Sequence, residues 1–311
     1  MLSNDSMNRL KYAVASNSAG TEIANAINTP IPNMDGGTVY YVNSAVTASG
    51  DGSTWGTALK TIKEAVTLAV AGDTILIQGS FSEVVTVSVA GVSIIGVGTG
   101  PKMAQWTSAV DTASLTLAAN YCYVRNIYFK PPAYSASTTY GPSAILLSGA
   151  GWAYIVGCRF QGQTASYQAI YSPVCNSDNV HVLGNEFYYL NTATTGAAIL
   201  GLTAGGLSYS GWQIINNVIA SCLRGIVLPA RAATITGNTI AEYGVAPSGS
   251  ITQLLTMGMD LSGTAGGANA VWSNQLGGTY SATLYKVGAS GDQWGGNFNV
   301  ITGGVTAANP A

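Results

Sequence analysis

The side chains able to do chemistry are few. His181 is the only histidine in 311 residues. Any Ser-His-Asp or Cys-His centre would have to use it, and no G-x-S-x-G elbow accompanies it. Cysteines stand at 122, 158, 175 and 222 with no CxxC pair. Zinc spacings are therefore missing, and Cys122 and Cys158 sit in apolar strand patterns that read as buried free thiols. Glycoside hydrolysis needs two carboxylates about 5–10 Å apart. Beyond residue 100 the acids are Asp111, Asp178, Glu186, Glu242, Asp260 and Asp292. Asp178 and Glu186 could approach each other across one strand, and Arg159 is the cation placed to join them. No acid cluster suits a metal, so neither metal nor cofactor is expected.

Composition sets the frame for these residues. Charged residues make up only 8% of the chain, while hydrophobic residues reach 47%. The usual charged share is about 25%. High apolar content with low charge argues against disorder and for a turn-rich β fold. Only 11 Lys and Arg are scattered along a chain of net charge −2. Nucleic-acid binding needs clustered basic residues, so that class is set aside. No 18-residue apolar run exists, which predicts no membrane-spanning helix. Charges interrupt the first 20 residues where a signal peptide needs its apolar core, so no export signal is recognised.

Along the chain, residues 5–28 read as helical. Met7, Leu10 and Val14 recur at i, i+3, i+7, and Ile23 and Ile27 at i, i+4. A Pro/Asn/Gly linker follows at 29–37. The segment 1–37 is too small to hold its own core, so it is expected to attach to something else. Residues 38–311 form the body: a module at 38–100, coils over 101–300 and a tail at 301–311. In the module, ALKTIKEAVTLAVAG is an amphipathic helix, with Leu59, Ile62, Val66 and Ala69 on one stripe and Gly72 as its stop.

The body repeats one phrase: IVGCRF, VLGNEF, INNVI, ITGNTI, VWSNQL. Aligned on its glycine-like position, the repeats fall at Gly96, Asn126, Gly157, Gly184, Asn216, Gly237, Ser273 and Gly296, at intervals of 30, 31, 27, 32, 21, 36 and 23. Variable periods above about 20 residues fit a β-solenoid whose coils carry loops of different length. Two apolar columns should face inward. One is Val124, Ile155, Val182, Ile214, Ile235 and Val271; the other is Phe129, Phe160, Phe187, Ile219, Ile240 and Leu276. After the glycine stand Asn185, Asn217, Asn238 and Asn274. Stacked asparagines can hydrogen-bond along the axis, and Asn tolerates the left-handed backbone of a bend, so they read as a structural ladder.

The outward column reads Tyr128, Arg159, Glu186, Val218, Thr239 and Gln275. Coils lie about 4.8 Å apart, so Arg159 and Glu186 should be neighbours. They form either a cross-strand ion pair or half of a sugar-handling site. Loops rich in Tyr, Ser, Thr and Gly add Tyr134, Tyr140, Tyr167, Tyr171, Tyr188, Tyr189 and Tyr209. Their rings either bind sugars or proteins or simply pack the loops onto the solenoid.

The 39–100 block resembles the N-terminal capping module of right-handed parallel β-helix proteins, the pectate-lyase-like superfamily. The resemblance rests on Tyr41-Val42, on Gly50, Asp51, Gly52, Ser53 and Trp55, on Thr61-Ile62 with Ala65, on Gly72-Asp73-Thr74-Ile75, and on Gly91-Val92 with Ile94. It implies an all-β right-handed parallel β-helix with a capping helix over its first coil. That superfamily holds lyases, hydrolases, adhesins and viral proteins, so activity stays open. The Asn-Thr-Asp, Asp-Asp and Gly-His-Gly motifs of polygalacturonases are missing, and no catalytic residue carries over. A helical N-terminal piece, a linker and a low-charge solenoid resemble the layout of phage virion appendages such as tail spikes, fibres or capsid decoration proteins. That likeness implies attachment to other virion proteins through the N-terminal segment, a homotrimer, a host surface glycan as ligand, and assembly into virions in the host cytoplasm. The alternatives are a polysaccharide-degrading enzyme using Asp178, Glu186 and Arg159, and a bacterial surface adhesin.

Overall fold

The computed structural model describes residues 37–107, 112–131, 143–162, 168–174, 176–190, 196–202, 209–241, 257–262, 267–277, 285–286 and 291–299. The chain divides into two units, Met1–Asp35 and Gly36–Ala311. The helical segment with Met7, Leu10, Val14, Ile23 and Ile27 lies outside the described residues, as do Tyr134, Tyr140 and Tyr167.

The body winds as a right-handed parallel β-helix. One coil shows the logic. Tyr154–Val156 belongs to a ten-stranded sheet (sheet I), Arg159–Gln161 to a nine-stranded sheet (sheet II) and Gln168–Ser172 to an eight-stranded sheet (sheet III). His181–Leu183 then returns to sheet I, directly against Tyr154–Val156. Neighbouring strands pair in parallel throughout these sheets. Each strand is short because only its inward residues must be apolar before the chain turns.

Both expected inward columns are fully buried: Val124, Ile155, Val182, Ile214, Ile235 and Val271 in sheet I, and Phe129 through Leu276 in sheet II. Sheet III adds Leu115, Ile145, Ile170, Ile199, Ile226 and Met259. In sheet II the rings stack along the axis. Trp106 to Phe129 is 5.6 Å between centroids, Phe129 to Phe160 is 5.2 Å and Phe160 to Phe187 is 4.9 Å. The coil rise therefore sets the ring spacing, and each buried ring contributes about 2–3 kcal/mol of apolar burial.

The corner between sheets I and II holds two residues, such as Gly184 and Asn185. The left-handed conformation falls on the glycine-like column: Gly157, Gly184 and Gly237 have φ of 57°, 60° and 67°, and Asn126, Asn216 and Ser273 have 55°, 56° and 54°. It does not fall on the ladder asparagines, which corrects the expectation that their αL tolerance is what the bend uses. Their side chains serve instead. Asn185 N–H and Nδ2 both donate to Asn217 Oδ1, at 2.8 and 3.1 Å. Asn217 does the same to Asn238, Asn238 to Asn274, and Asn274 to Asn297, with every bond 2.9–3.0 Å. Each Nδ2 also donates to a strand carbonyl of the coil before, as Asn217 does to Val182 O at 2.9 Å. The row thus extends one rung past the four asparagines read from sequence.

The first coil is closed by a helix and a loop. The helix is shorter than expected, Ile62–Leu68. Thr61 and Glu64 form a capping box at its start, and Glu83 accepts from Ile62 N–H and Lys63 N–H at 3.0 Å. Leu59 lies outside the helix, and Gly72 lies beyond its end in a separate turn at φ 90°. Leu59 instead bridges the edge strand Val39–Asn43, donating to Tyr41 O and accepting from Asn43 N–H, both at 2.9 Å. Tyr41 N–H donates to Gly52 O at 2.8 Å. The open edge therefore has its backbone groups satisfied locally, which blocks strand-to-strand association there.

Candidate functional site

The three outer faces differ in chemistry. The outward residues of sheet I form two rows: Leu76, Ile95, Arg125, Val156, Leu183, Ile215, Thr236 and Trp272, and Tyr123, Tyr154, His181, Gln213 and Thr234. Those of sheet III run Thr116, Leu146, Tyr171, Leu200 and Val227. Sheet II gathers two cations, two amides, two rings and a carboxylate around one point, because its strands alternate Phe or Ile inward with long polar side chains outward.

The centre of that face is Arg159. Its Nε lies 3.6 Å from Glu186 Oε2 in the adjacent strand. Its guanidinium sits 5.6 Å from the centroid of the Tyr128 ring and 5.2 Å from that of Tyr188. Lys130 Nζ lies 5.1 Å from the Tyr128 centroid and donates to Gln105 Oε1 at 3.0 Å. The Tyr128 hydroxyl donates to Gln161 Oε1. Burial raises the Tyr128 pKa, with Arg159 pulling it partly back, so the phenol stays protonated as a donor. Arg159 and Glu186 remain 44% and 48% exposed, so the face is open to a ligand and the ion pair itself adds little stability.

This arrangement is a flat surface with two rings, two cations, two amides and one carboxylate. Among the described outward residues of sheet II, Glu186 is the only acid. Asp178 does not join it. Asp178 stands at the turn ahead of His181–Leu183 in sheet I, where its Oδ1 accepts from Ser210 N–H at 2.8 Å. Glu186 faces outward from sheet II beyond the Asn185 corner. The expected approach of these two carboxylates is therefore not made. No group of three or more His, Cys, Asp or Glu is placed to hold a metal among the described residues.

The tyrosines separate into roles. Tyr188 belongs to the sheet II face, and Tyr189 follows it at 6.3 Å between centroids. Tyr171 is half-buried on sheet III. Tyr209 is a correction: it is fully buried, packs edge-on against Trp212 at 5.6 Å and donates to Ser172 O at 2.6 Å. It belongs to the core and offers no surface to a ligand. Tyr128 was read in the outward column without a role at the site, and Lys130, Gln105 and Gln161 were not singled out from sequence. Their signal was present, since Lys130 and Gln161 stand two residues after Tyr128 and Arg159 and so share their face.

His181 and the cysteines lie elsewhere. His181 stacks on Tyr154 at 4.2 Å on the outside of sheet I, and burial lowers its pKa. Cys158 and Cys222 are enclosed in the core, where burial pushes both thiols up to about 12. None of these groups is poised for nucleophilic chemistry.

No protein-family model and no curated protein sequence matches the chain. Solved structures do. A lacto-N-biosidase from Eubacterium ramulus aligns over 84% of this chain and 65% of its own, at 12% identity and a TM-score of 0.53. A rhamnogalacturonan lyase aligns over 84% of this chain and 63% of its own, at 13% identity and a TM-score of 0.46. The tailspike protein of E. coli bacteriophage HK620 aligns over 94% of this chain and 59% of its own, at 11% identity and a TM-score of 0.43. The chain spans less than two thirds of the length of each. What it has in common with the lacto-N-biosidase is the fold, a parallel β-helix.

Proposed function

We propose that the chain is a virion appendage that binds a glycan, attached to other particle proteins by its N-terminal segment and displaying the β-helix outward as a homotrimer. The observation that carries the binding part is Arg159 held between the rings of Tyr128 and Tyr188 beside Glu186. A sugar chain presents apolar C–H faces and hydroxyl edges. Rings take the first and the fixed guanidinium, amides and carboxylate take the second. The face repeats along the axis at about 4.8 Å per coil, so an extended polymer can lie along it.

Surface plasmon resonance against immobilised bacterial lipopolysaccharide and capsular polysaccharide tests this. Wild-type protein should bind at least one of them, and Arg159→Ala should weaken that binding at least tenfold. If wild-type protein ignores every surface glycan tested, the binding role is wrong. Copurification with particles tests the virion role, and light scattering tests the trimer.

A degradative role is the second reading, favoured by the contact between Arg159 and Glu186. Glu186 would be its acid or base, and a two-carboxylate mechanism would still lack its partner on this face. Release of reducing ends from a bound polysaccharide, abolished in Glu186→Gln, would replace the binding role by a catalytic one.

A further inference from the structure

A second feature lies at a different corner, where each coil turns from sheet III into sheet I. Tyr121 and Trp152 occupy equivalent places in consecutive coils: Tyr121 N–H donates to Gly151 O at 3.0 Å, and Trp152 N–H donates to Asp178 O at 2.8 Å. Their rings stack at 6.3 Å between centroids with a 19° tilt. Both are exposed, Tyr121 by 56% and Trp152 by 44%. Both also adopt the left-handed backbone, at φ 61° and 56°. The same column holds Gly72, Gly91, Asn179, Gly211, Ala232, Ala268 and Gly291 in its other coils, at φ 90°, 74°, 55°, 66°, 52°, 55° and 101°. Glycine and asparagine are the residues this conformation favours, and a bulky aromatic is an outlier in it. Two adjacent coils therefore hold large rings in water, on a backbone that disfavours them. Neither burial nor local geometry accounts for the choice, and strain of this kind concentrates at binding surfaces.

The surroundings fit a ring-shaped ligand. Gly91 precedes Tyr121 in the column, and a Cβ built on it would have only Gly72 backbone within 4 Å. Gly72 comes before Gly91 in the same column, so no side chain of this column covers the face of Tyr121 turned away from Trp152. The residue beside Tyr121 is polar: Asn120 is exposed, and its Oδ1 pins the corner by accepting from Gly151 N–H at 2.9 Å. A protein hot spot would pair the rings with an apolar surround that excludes water. A ring with an apolar face and a hydroxyl edge is what an aromatic face beside an exposed amide complements.

We infer that Tyr121 and Trp152 form a stacking subsite for a pyranose ring of a glycan, separate from the sheet II face. The inference rests on the glycan-binding reading above and adds a contact of its own. The subsite would take one sugar by its C–H face, with hydroxyls directed to Asn120 beside Tyr121.

The test uses the full chain on a microarray of bacterial surface oligosaccharides of six or more pyranose units. The variants are Tyr121→Asn and Trp152→Asn. Asparagine already occupies this column at Asn179, so both should fold with melting temperatures equal to or above that of wild type. Each should lower affinity for the bound oligosaccharide at least tenfold. Trp152→Gly, also at home in left-handed backbone, guards against a peculiarity of the asparagine variant and should give the same loss. If all three bind like wild type while Arg159→Ala does not, the subsite is wrong and the sheet II reading stands. If they lose binding while Arg159→Ala retains it, the subsite stands and the sheet II face is not the site. If wild type binds no oligosaccharide, both fall together.

Discussion

The ring of Tyr209 fills the space that a side chain on Gly201 would need. A Cβ on Gly201 would come within 2.5 Å of Tyr209 Cε2 and 2.7 Å of Leu228 Cδ1. The same ring carries a hydroxyl that donates to Ser172 O at 2.6 Å and accepts from Leu202 N–H at 3.1 Å. Glycine here is a packing requirement set by a tyrosine eight residues later. Gly201→Ala should cost about 1–3 kcal/mol through overpacking. Tyr209→Phe keeps the ring and leaves Ser172 O and Leu202 N–H bonded to each other at 3.0 Å, so it should cost less, about 0.5–1.5 kcal/mol. Urea denaturation measures both, and a change below experimental error in either would mean the site can relax.

Asn217→Ala is expected to be more severe. It removes the acceptor for both Asn185 N–H and Asn185 Nδ2 and the donor to Val182 O. Several buried groups lose partners at once, so the cost should exceed about 3 kcal/mol. Asn217→Asp should be no rescue at neutral pH, because a buried carboxylate can accept from Asn185 but cannot donate to Val182 O. Denaturant midpoints of the two variants check this.

Arg159→Ala and Glu186→Gln should behave in the opposite way. The pair is nearly half exposed, so each change should shift stability by no more than about 0.5 kcal/mol. A thermal melt that barely moves, alongside a large loss of glycan binding, would separate recognition from folding at this face. A large loss of stability would mean that the pair is structural.

Much of this molecule was legible in the linear pattern, and the reasons are physical. The columns beginning at Val124 and Phe129 were readable because a solenoid forces every coil to repeat its inward residues. Arg159 beside Glu186 followed from the same register. Tyr209 was misread because loop composition does not tell a tyrosine facing water from one under a neighbouring coil; only the glycine at 201 hinted at the difference. Tyr121 and Trp152 escaped because a corner has no apolar period to stand out from. The asparagines were recognised, but the strained backbone belongs to the residue before them, since the side chain and not the φ angle does their work. The helix was drawn too long because Leu59 and Ala69 are apolar for other reasons, one bridging a strand and one just past the helix end.

His181 gives a pH signature. Burial lowers its folded pKa below the usual value of about 6.5, with a hydrogen bond donated to the Gln213 side chain opposing the shift in part. Between the folded pKa and about 6.5 the unfolded chain binds a proton that the folded chain does not. Stability from this group is therefore complete above about 6.5, declines as pH falls through that window, and levels off below the folded pKa. His181→Gln should flatten the difference in melting temperature between pH 7 and pH 5.5. An unchanged slope in the variant would assign it to other groups.

The thiols should be silent in the native state. Burial pushes Cys122 up to about 11 and Cys158 and Cys222 up to about 12. At pH 8 almost no thiolate is present at these sites, and the enclosed sulfurs exclude reagent. Ellman's reagent should label them only after unfolding, with all four cysteines of the chain reacting in guanidinium. Rapid native labelling of Cys158 would show that its coil opens readily.

The asparagine row spans sequence gaps of 32, 21, 36 and 23 residues, yet its main-chain-to-side-chain bonds stay between 2.8 and 3.0 Å. One corner thus keeps time for the whole chain while the length of peptide between beats is free. Such a body can accept new segments, lose old ones and exchange them between relatives without renegotiating its core. This gives inheritance a fixed spine and an editable text.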